Sequence, residues 1–300
     1  MGVLWRSGTL TTAKAAGTRL RISARKVKTA LLRAAGYLFL TLSAACFALP
    51  FIWLISSSLK SDRQLFVFPP IWIPNPIEWD NYPKALTAMS FVRYLENTLW
   101  ICVWNVIGIL VSCTLVAYGL SRVEWRGRDI MFGLVLSTMM LPYAVTMIPL
   151  YLVFKALGWI GSMKPLIVPA FFGAPFFIFL LRQFLMTIPV ELTDAATVDG
   201  CSHLSILTMI LVPLVRPALA TVALFTFMAN WNDFMGPLIY LSNSSNYTLA
   251  IALQQFLQQH HENWSYLMAA SATFTVPIVI LFFFTQRTFI QGITLTGIKG

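Results

Sequence analysis

The chain has 300 residues, 58% of them hydrophobic and only 11% charged, with a mean hydropathy of +0.74. Soluble domains carry about 25% charged residues, so a soluble enzyme is excluded at the outset. The net charge of +10 would suit a nucleic-acid partner in a soluble chain, but here the placement of the bases reads as a topology signal and not as a nucleic-acid surface.

Residues 1–33 hold eight bases (Arg6, Lys14, Arg19, Arg21, Arg25, Lys26, Lys28, Arg33) and no acid. An acid-free head with Ser and Thr also has the composition of a transit peptide. The apolar run after it is too long for a signal core and has no small-residue cleavage pattern behind it, so the head reads as a basic cytoplasmic extension entering a retained first span. Six apolar runs lie at about 34–57, 97–120, 130–153, 165–184, 217–240 and 266–286. Each is near the roughly 20 residues that cross ~30 Å of hydrocarbon as helix. A membrane barrel would show short alternating segments instead. The expected fold class is an all-α membrane protein with six transmembrane helices over residues 34–286 and both termini cytoplasmic. In that topology fifteen Lys or Arg lie inside, the later ones being Arg122, Arg126, Arg128, Arg182, Arg216, Arg287 and Lys299. Only six lie outside: Lys60, Arg63, Lys84, Arg93, Lys155 and Lys164.

The outer segment 58–96 interleaves Pro69, Pro70, Pro74, Pro76 and Pro83 with Trp72, Trp79 and Tyr82. Prolines disfavour regular helix and the aromatics suit headgroup depth, so the segment reads as an interfacial lid or a docking surface for an external partner. Pro142 and Pro149 interrupt the third span, and Pro169, Gly173 and Pro175 the fourth. Such breaks survive in lipid where other helices or a water-filled path satisfy the freed backbone groups. Charge is almost absent from the spans. Asp233, in Asn230-Trp231-Asn232-Asp233 of the fifth, is the exception. An ionisable group at that depth is a functional candidate, so Asn230, Asn232 and Asp233 are expected either on a substrate pathway or in a polar cluster that holds helices together.

Catalytic chemistry does not assemble. In the stretch from Gly292 to Gly300 the lysine falls one place too late for a phosphate loop, and no helix follows to cradle phosphate. His260-His261-Glu262 is too incomplete a ligand set for a metal. Cys46, Cys102, Cys113 and Cys201 are scattered and read as packing residues. No catalytic residue, metal or bound cofactor is expected, and any energy source lies on another chain.

The inner loop 185–216 carries the strongest local signal. Pro189 suits a helix start, Glu191 and Asp194 favour its positive end, and Gly200 suits the left-handed turn that stops it. Ser202 can cap a second helix running into Ile210-Leu211-Val212-Pro213, and Pro217 opens the fifth span. The pair Ala195-Ala196 is expected to leave a low surface for another protein.

The run Glu191-Leu192-x-Asp194-Ala195-Ala196-x-x-Asp199-Gly200, with Ile210-x-x-Pro213 and Pro217-Ala218-Leu219, resembles the EAA loop of binding-protein-dependent ABC importer permeases. The fuller likeness, from about Tyr37 to Gly300, is to the second permease subunit of maltose-type sugar importers. It rests also on Pro69-Pro70-x-Trp72-x-Pro74, Asn81-Tyr82, Ala117-Tyr118-Gly119-Leu120-Ser121-Arg122, Pro149-Leu150-Tyr151, Trp231-Asn232-Asp233-Phe234 and Gln291-Gly292-x-Thr294-x-x-Gly297-x-Lys299-Gly300. The resemblance implies a type I ABC importer permease fold. It also implies a second, homologous permease as heterodimer partner, two cytoplasmic ATPase subunits that bind ATP and Mg, and an extracytoplasmic solute-binding protein. It places a coupling helix at about 190–204, with Glu191, Asp194, Ala195, Ala196, Asp199, Gly200 and Leu204 against the ATPase. It assigns the cytoplasmic tail 287–300, through Gly292, Thr294, Gly297 and Lys299, a contact between the ATPases. Asp194 stands where the motif usually has Glu, keeping the charge with a shorter reach. A permease for peptides, amino acids or polyamines is the alternative within the class. An ion-coupled secondary transporter would need more intramembrane acids than Asp233.

Overall fold

The computed structural model describes the backbone of residues 8–259 and 263–297, with side chains for 28–258 and 263–286; every described element is helical. The chain divides into two compact units, residues 1–56 and 57–300. The described part of the first lies in one helix, α1 (Gly8–Ser58), whose apolar stretch Lys28–Ser58 is long enough to cross a membrane. Leu31, Phe39 and Phe47 are exposed on different sides of it, the pattern of a helix that meets apolar surroundings all round.

The second unit is organised around α4 (Phe91–Ser121), which packs against α8 (Pro175–Thr187), α12 (Arg216–Trp231) and a 3-10 turn at Val168–Phe172. Small residues recur on its buried face: Cys102, Gly108, Ser112, Cys113 and Ala117. They let backbones approach closely where lipid supplies no hydrophobic drive between helices. A Cβ on Gly108 would stand 3.0 Å from the Phe171 ring and 3.1 Å from the Ala170 carbonyl carbon.

The third predicted span is two helices, α5 (Arg128–Thr138) and α6 (Tyr143–Ala156), bent by 97°. The break falls at residues 139–142, where Pro142 lacks an amide donor and forces Leu141 away from helix. Pro149, expected to interrupt the span too, sits inside α6. The fourth span is broken as predicted. The short α7 (Lys164–Ile167) and the 3-10 turn lead to Gly173 at φ +87°, and α8 restarts at Pro175. The freed backbone groups there are satisfied by α4. Asn105 Nδ2 donates to Leu166 O (2.9 Å), Ser112 Oγ to Ala170 O (3.0 Å), and Ala174 N donates to Cys113 Sγ (3.2 Å). A neighbouring helix therefore supports this break.

The fifth predicted span ends as helix at Trp231, opens over 232–234, and resumes as α13 (Met235–Tyr240). Beyond it lie α14 (Leu249–Gln259) and α15 (Trp264–Gly297). At this predicted outer end, Asn97 Nδ2 donates to Ser245 O (2.9 Å) and Tyr247 O (3.0 Å). The outer segment holds α2 (Asp62–Leu65) and α3 (Asn81–Ala88), and its first part is closed into a loop by contacts between residues 58–60 and 78–81. Glu78 N donates to Leu59 O (2.9 Å), and Asn81 Nδ2 reaches Ser58 O and Lys60 O. Within that loop Phe68, Trp72 and Ile73 are exposed, and so is Trp79 beside its closing contacts. Among the described residues two buried apolar clusters result: one at the predicted inner half, including Ile109, Leu181, Ala196 and Leu211, and one at the outer half around Cys102, Trp231, Phe256 and Ala269.

Candidate functional site: the coupling loop

The loop folds as the sequence pattern predicts. α9 (Glu191–Val198) begins after Pro189 with Glu191 and Asp194 in its first turn, where carboxylates favour the positive helix end. Gly200, at φ +82°, ends it, with Gly200 N donating to Thr197 O (3.0 Å) and Cys201 N to Ala196 O (2.9 Å). That left-handed conformation costs a residue with a Cβ roughly 1–2 kcal/mol. Ser202 Oγ then accepts Ser205 N (3.2 Å), capping α10 (His203–Ser205). The chain passes through a π-helical turn, Ile206–Leu211, which the sequence did not predict, and then α11 (Val212–Leu214). It bends by 82° into α12, with Pro217 in the first turn.

Burial divides the loop into two faces. Thr193 and Ala196, three residues apart on α9, are buried, and Ala196 packs in the same cluster as Ile206, Leu207 and Leu211. Glu191, Leu192, Asp194, Ala195, Val198, Asp199, Gly200 and Leu204 are exposed. The expectation of an outward Ala195-Ala196 pair is corrected: only Ala195 faces out, because a helix turns 100° per residue and Ala196 falls on the side that closes the bundle. Val198 at 87% and Leu204 at 62% exposure leave an apolar outer face flanked by acids, the composition of a surface covered by a partner.

Two residues of α4 hold this loop. The Tyr118 hydroxyl pairs with His203 Nδ1 at 3.0 Å, and the two rings meet edge to face at 6.1 Å. Arg122 Nη2 donates to the carbonyls of Leu185 and Ile188, the last before Pro189. Burial draws the Arg122 pKa below the ordinary arginine value, a shift opposed by Tyr118 and by the charge of Asp194 on α9; the group stays cationic. In the other direction, Arg182 of α8 donates from Nε to Leu120 O (3.0 Å), stands 4.0 Å above the Phe132 ring, and lies 3.6 Å from Asp129. Tyr118 and Arg122 belonged to a motif that carried the family resemblance, yet no role could be read for them, since their partners lie 85 and 63 residues away.

The other candidates are not brought together. Asn230 Nδ2 donates to Thr226 O and Asn232 Nδ2 to Met228 O, both at 2.8 Å and both on their own helix. Asp233 Oδ1 accepts Gly236 N at 3.1 Å across the break that starts α13. Each of the three side chains thus holds a backbone partner within four residues of itself, and Asp233 closes a local turn. The backbone is helical at Gly292, Thr294 and Gly297, but their surroundings lie outside the described side chains, and Lys299 and His260-His261-Glu262 lie outside the described residues. Among the described residues no three His, Cys, Asp or Glu converge as for a metal.

Apolar helices of spanning length, a broken fourth span sealed by α4 and a folded elbow at one end define a multi-pass α-helical membrane protein. The family described as binding-protein-dependent transport system inner membrane component matches residues 105–295, and the chain belongs to that family. It is 35% identical to the arabinooligosaccharides transport system permease protein AraQ of Halalkalibacterium halodurans, over 84% of this chain and 91% of the relative. It is 30% identical to the diacetylchitobiose uptake system permease protein DasC of Streptomyces coelicolor, and 31% identical to the trehalose/maltose transport system permease protein MalG of Thermococcus litoralis. Both cover 84% of this chain and 91% of the relative. Among solved structures, a bacterial ABC transporter for import of the acidic polysaccharide alginate matches with a TM-score of 0.76. It has 24% identity and covers 86% of this chain and 96% of that one, which shows a shared fold. The chain is thus a permease-type component of the cytoplasmic membrane.

Proposed function

We propose that this chain is the permease subunit of an ATP-driven importer for a sugar or a related polyhydroxylated solute. It would work beside a second, homologous permease, two cytoplasmic ATPase subunits that bind ATP and Mg, and an extracytoplasmic solute-binding protein. The observation that carries the reading is the two-faced loop. α9 is fixed to the bundle by Thr193 and Ala196 and offers Glu191, Asp194, Ala195, Val198 and Asp199 outward. An ATPase cleft seated on that face moves the loop, and the loop is continuous with α8 and α12. The solute class is supported by the oligosaccharide relatives. Access alternates when ATP on the ATPases and the loaded binding protein both favour the outward-open state, because a ligand shifts an equilibrium only by its differential affinity.

Co-expressing this chain with the permease, ATPase and binding protein encoded beside it tests the reading. A purified complex whose ATP turnover rises with loaded binding protein is expected. A chain that recruits no ATPase would overturn the proposal. Asp233 gives a narrower prediction from its turn: Asp233→Asn keeps an acceptor for Gly236 N and is expected to leave the uptake rate within about twofold, while Asp233→Leu lowers it several-fold with ATPase association intact. Wild-type uptake by Asp233→Leu would remove Asp233 from both roles.

A further inference from the structure

Chain connectivity joins the loop to only two spans, α8 before it and α12 after it. If nothing else held it, a displacement of α9 would be taken up at Gly200 and at the 82° bend before α12, and α4 would stay behind. The structure supplies a third attachment. Tyr118, buried at 6% exposure, reaches His203 just past the Gly200 turn, and Arg122 grips Leu185 O and Ile188 O just before α9. The two contacts bracket α9 on either side. Arg182 returns the grip from α8 to Leu120 O, so each helix places a guanidinium on the other's C-terminal carbonyls, where a cation is favoured. Through Asp129 and Phe132 the same Arg182 also ties in α5. Three elements, α5, α8 and α10, therefore meet at the end of α4, and the same α4 seals the broken fourth span further along its length.

We propose that Tyr118 and Arg122 are positioning residues for coupling, which carry a displacement of α9 into α4 and through it into the broken fourth span. The inference rests on reading α9 as the coupling helix. Neither residue need touch the ATPase: Tyr118 is buried, and Arg122 spends its Nη2 on α8. The pair keeps α9, α8 and α4 moving as one body, so that a cleft pulling on α9 repositions the bundle instead of bending its own handle.

The test uses the whole complex in lipid nanodiscs, with ATP turnover measured with and without loaded binding protein and ATPase association measured separately. Tyr118→Phe removes one hydroxyl and keeps the ring. It is expected to reduce stimulation by the binding protein at least about fivefold while ATPase association and the thermal midpoint stay at wild-type values. His203→Gln, at an exposed position, should reduce stimulation similarly, and the double variant should be no worse than either alone, as for two partners in one contact. Arg122→Lys keeps the charge but loses the planar fork and should also lower stimulation. Wild-type stimulation in both single variants, or losses that simply add in the double, would overturn the proposal. A wild-type complex that loaded binding protein does not stimulate would instead overturn the reading beneath it.

Discussion

Ala195→Trp is expected to abolish ATP-coupled transport in a subunit that still folds and inserts, and Ala196→Trp to break the loop itself. The two alanines are adjacent in sequence and chemically identical, so the contrast isolates which way each one faces. Ala196 is 6% exposed and packed among Ile206, Leu207 and Leu211. An indole there overfills a closed cluster, which costs about 1–3 kcal/mol or more and pushes α9 off its seat. Ala195 is exposed beside Val198 and Leu192, so its indole projects outward. A partner closing on that face would meet it at full van der Waals size. For Ala195→Trp, wild-type yield and thermal midpoint are expected, with ATPase capture reduced at least about tenfold, equivalent to ~1.4 kcal/mol of lost binding. The Ala196→Trp variant should lose capture and thermal stability together. Full ATPase capture by Ala195→Trp would mean that the outward face of α9 is not the docking surface.

Much of this architecture was legible because membrane crossing leaves a coarse signature. Twenty apolar residues in a row need no periodicity to be recognised, and the run at 97–120 lies inside the helix Phe91–Ser121. The inner loop was legible for the opposite reason: each of its turns depends on one local residue. Pro189, Gly200, Ser202 and Pro217 act within a few positions of themselves, and each stands where its chemistry is used. What escaped was whatever depends on a partner distant in sequence. Pro142 breaks the third span and Pro149 does not, although both offer the same missing donor. The inward turn of Ala196 depends on Ile206 and Leu211 being there to receive it. Asp233 shows the same limit at a candidate site. Its depth marked it as functional, but depth alone does not distinguish a solute contact from an acceptor for Gly236 N, and the backbone opening at 232–234 is what supplies that local donor.

Trp231→Ala is expected to cause the largest loss of stability of any single substitution at the predicted outer half. Trp231 is fully buried, stacked on Phe227 at 5.4 Å and tilted against Phe274 of α15 at 5.5 Å. Truncating a buried tryptophan costs about 3–5 kcal/mol, most of it from the cavity left when neighbours cannot collapse. For a chain of this size that corresponds to a fall of roughly 10 °C in thermal midpoint. The position magnifies the effect, since Trp231 is the last residue of α12 before the opening at 232–234, and its ring pins that opening to α15. The indole N–H has no acceptor among the described residues, so the polar atom contributes nothing to the packing and its burial is itself unfavourable. Trp231→Phe therefore separates the two contributions: it gives up part of the volume but also removes the orphan donor, and is expected to lose less than half of what Trp231→Ala loses. Thermal denaturation of the purified subunit followed by size-exclusion chromatography reads both. If Trp231→Phe proved as damaging as Trp231→Ala, the N–H would have to be bonded in the native assembly, and the ring contacts with Phe227 and Phe274 would not be what fixes the end of α12.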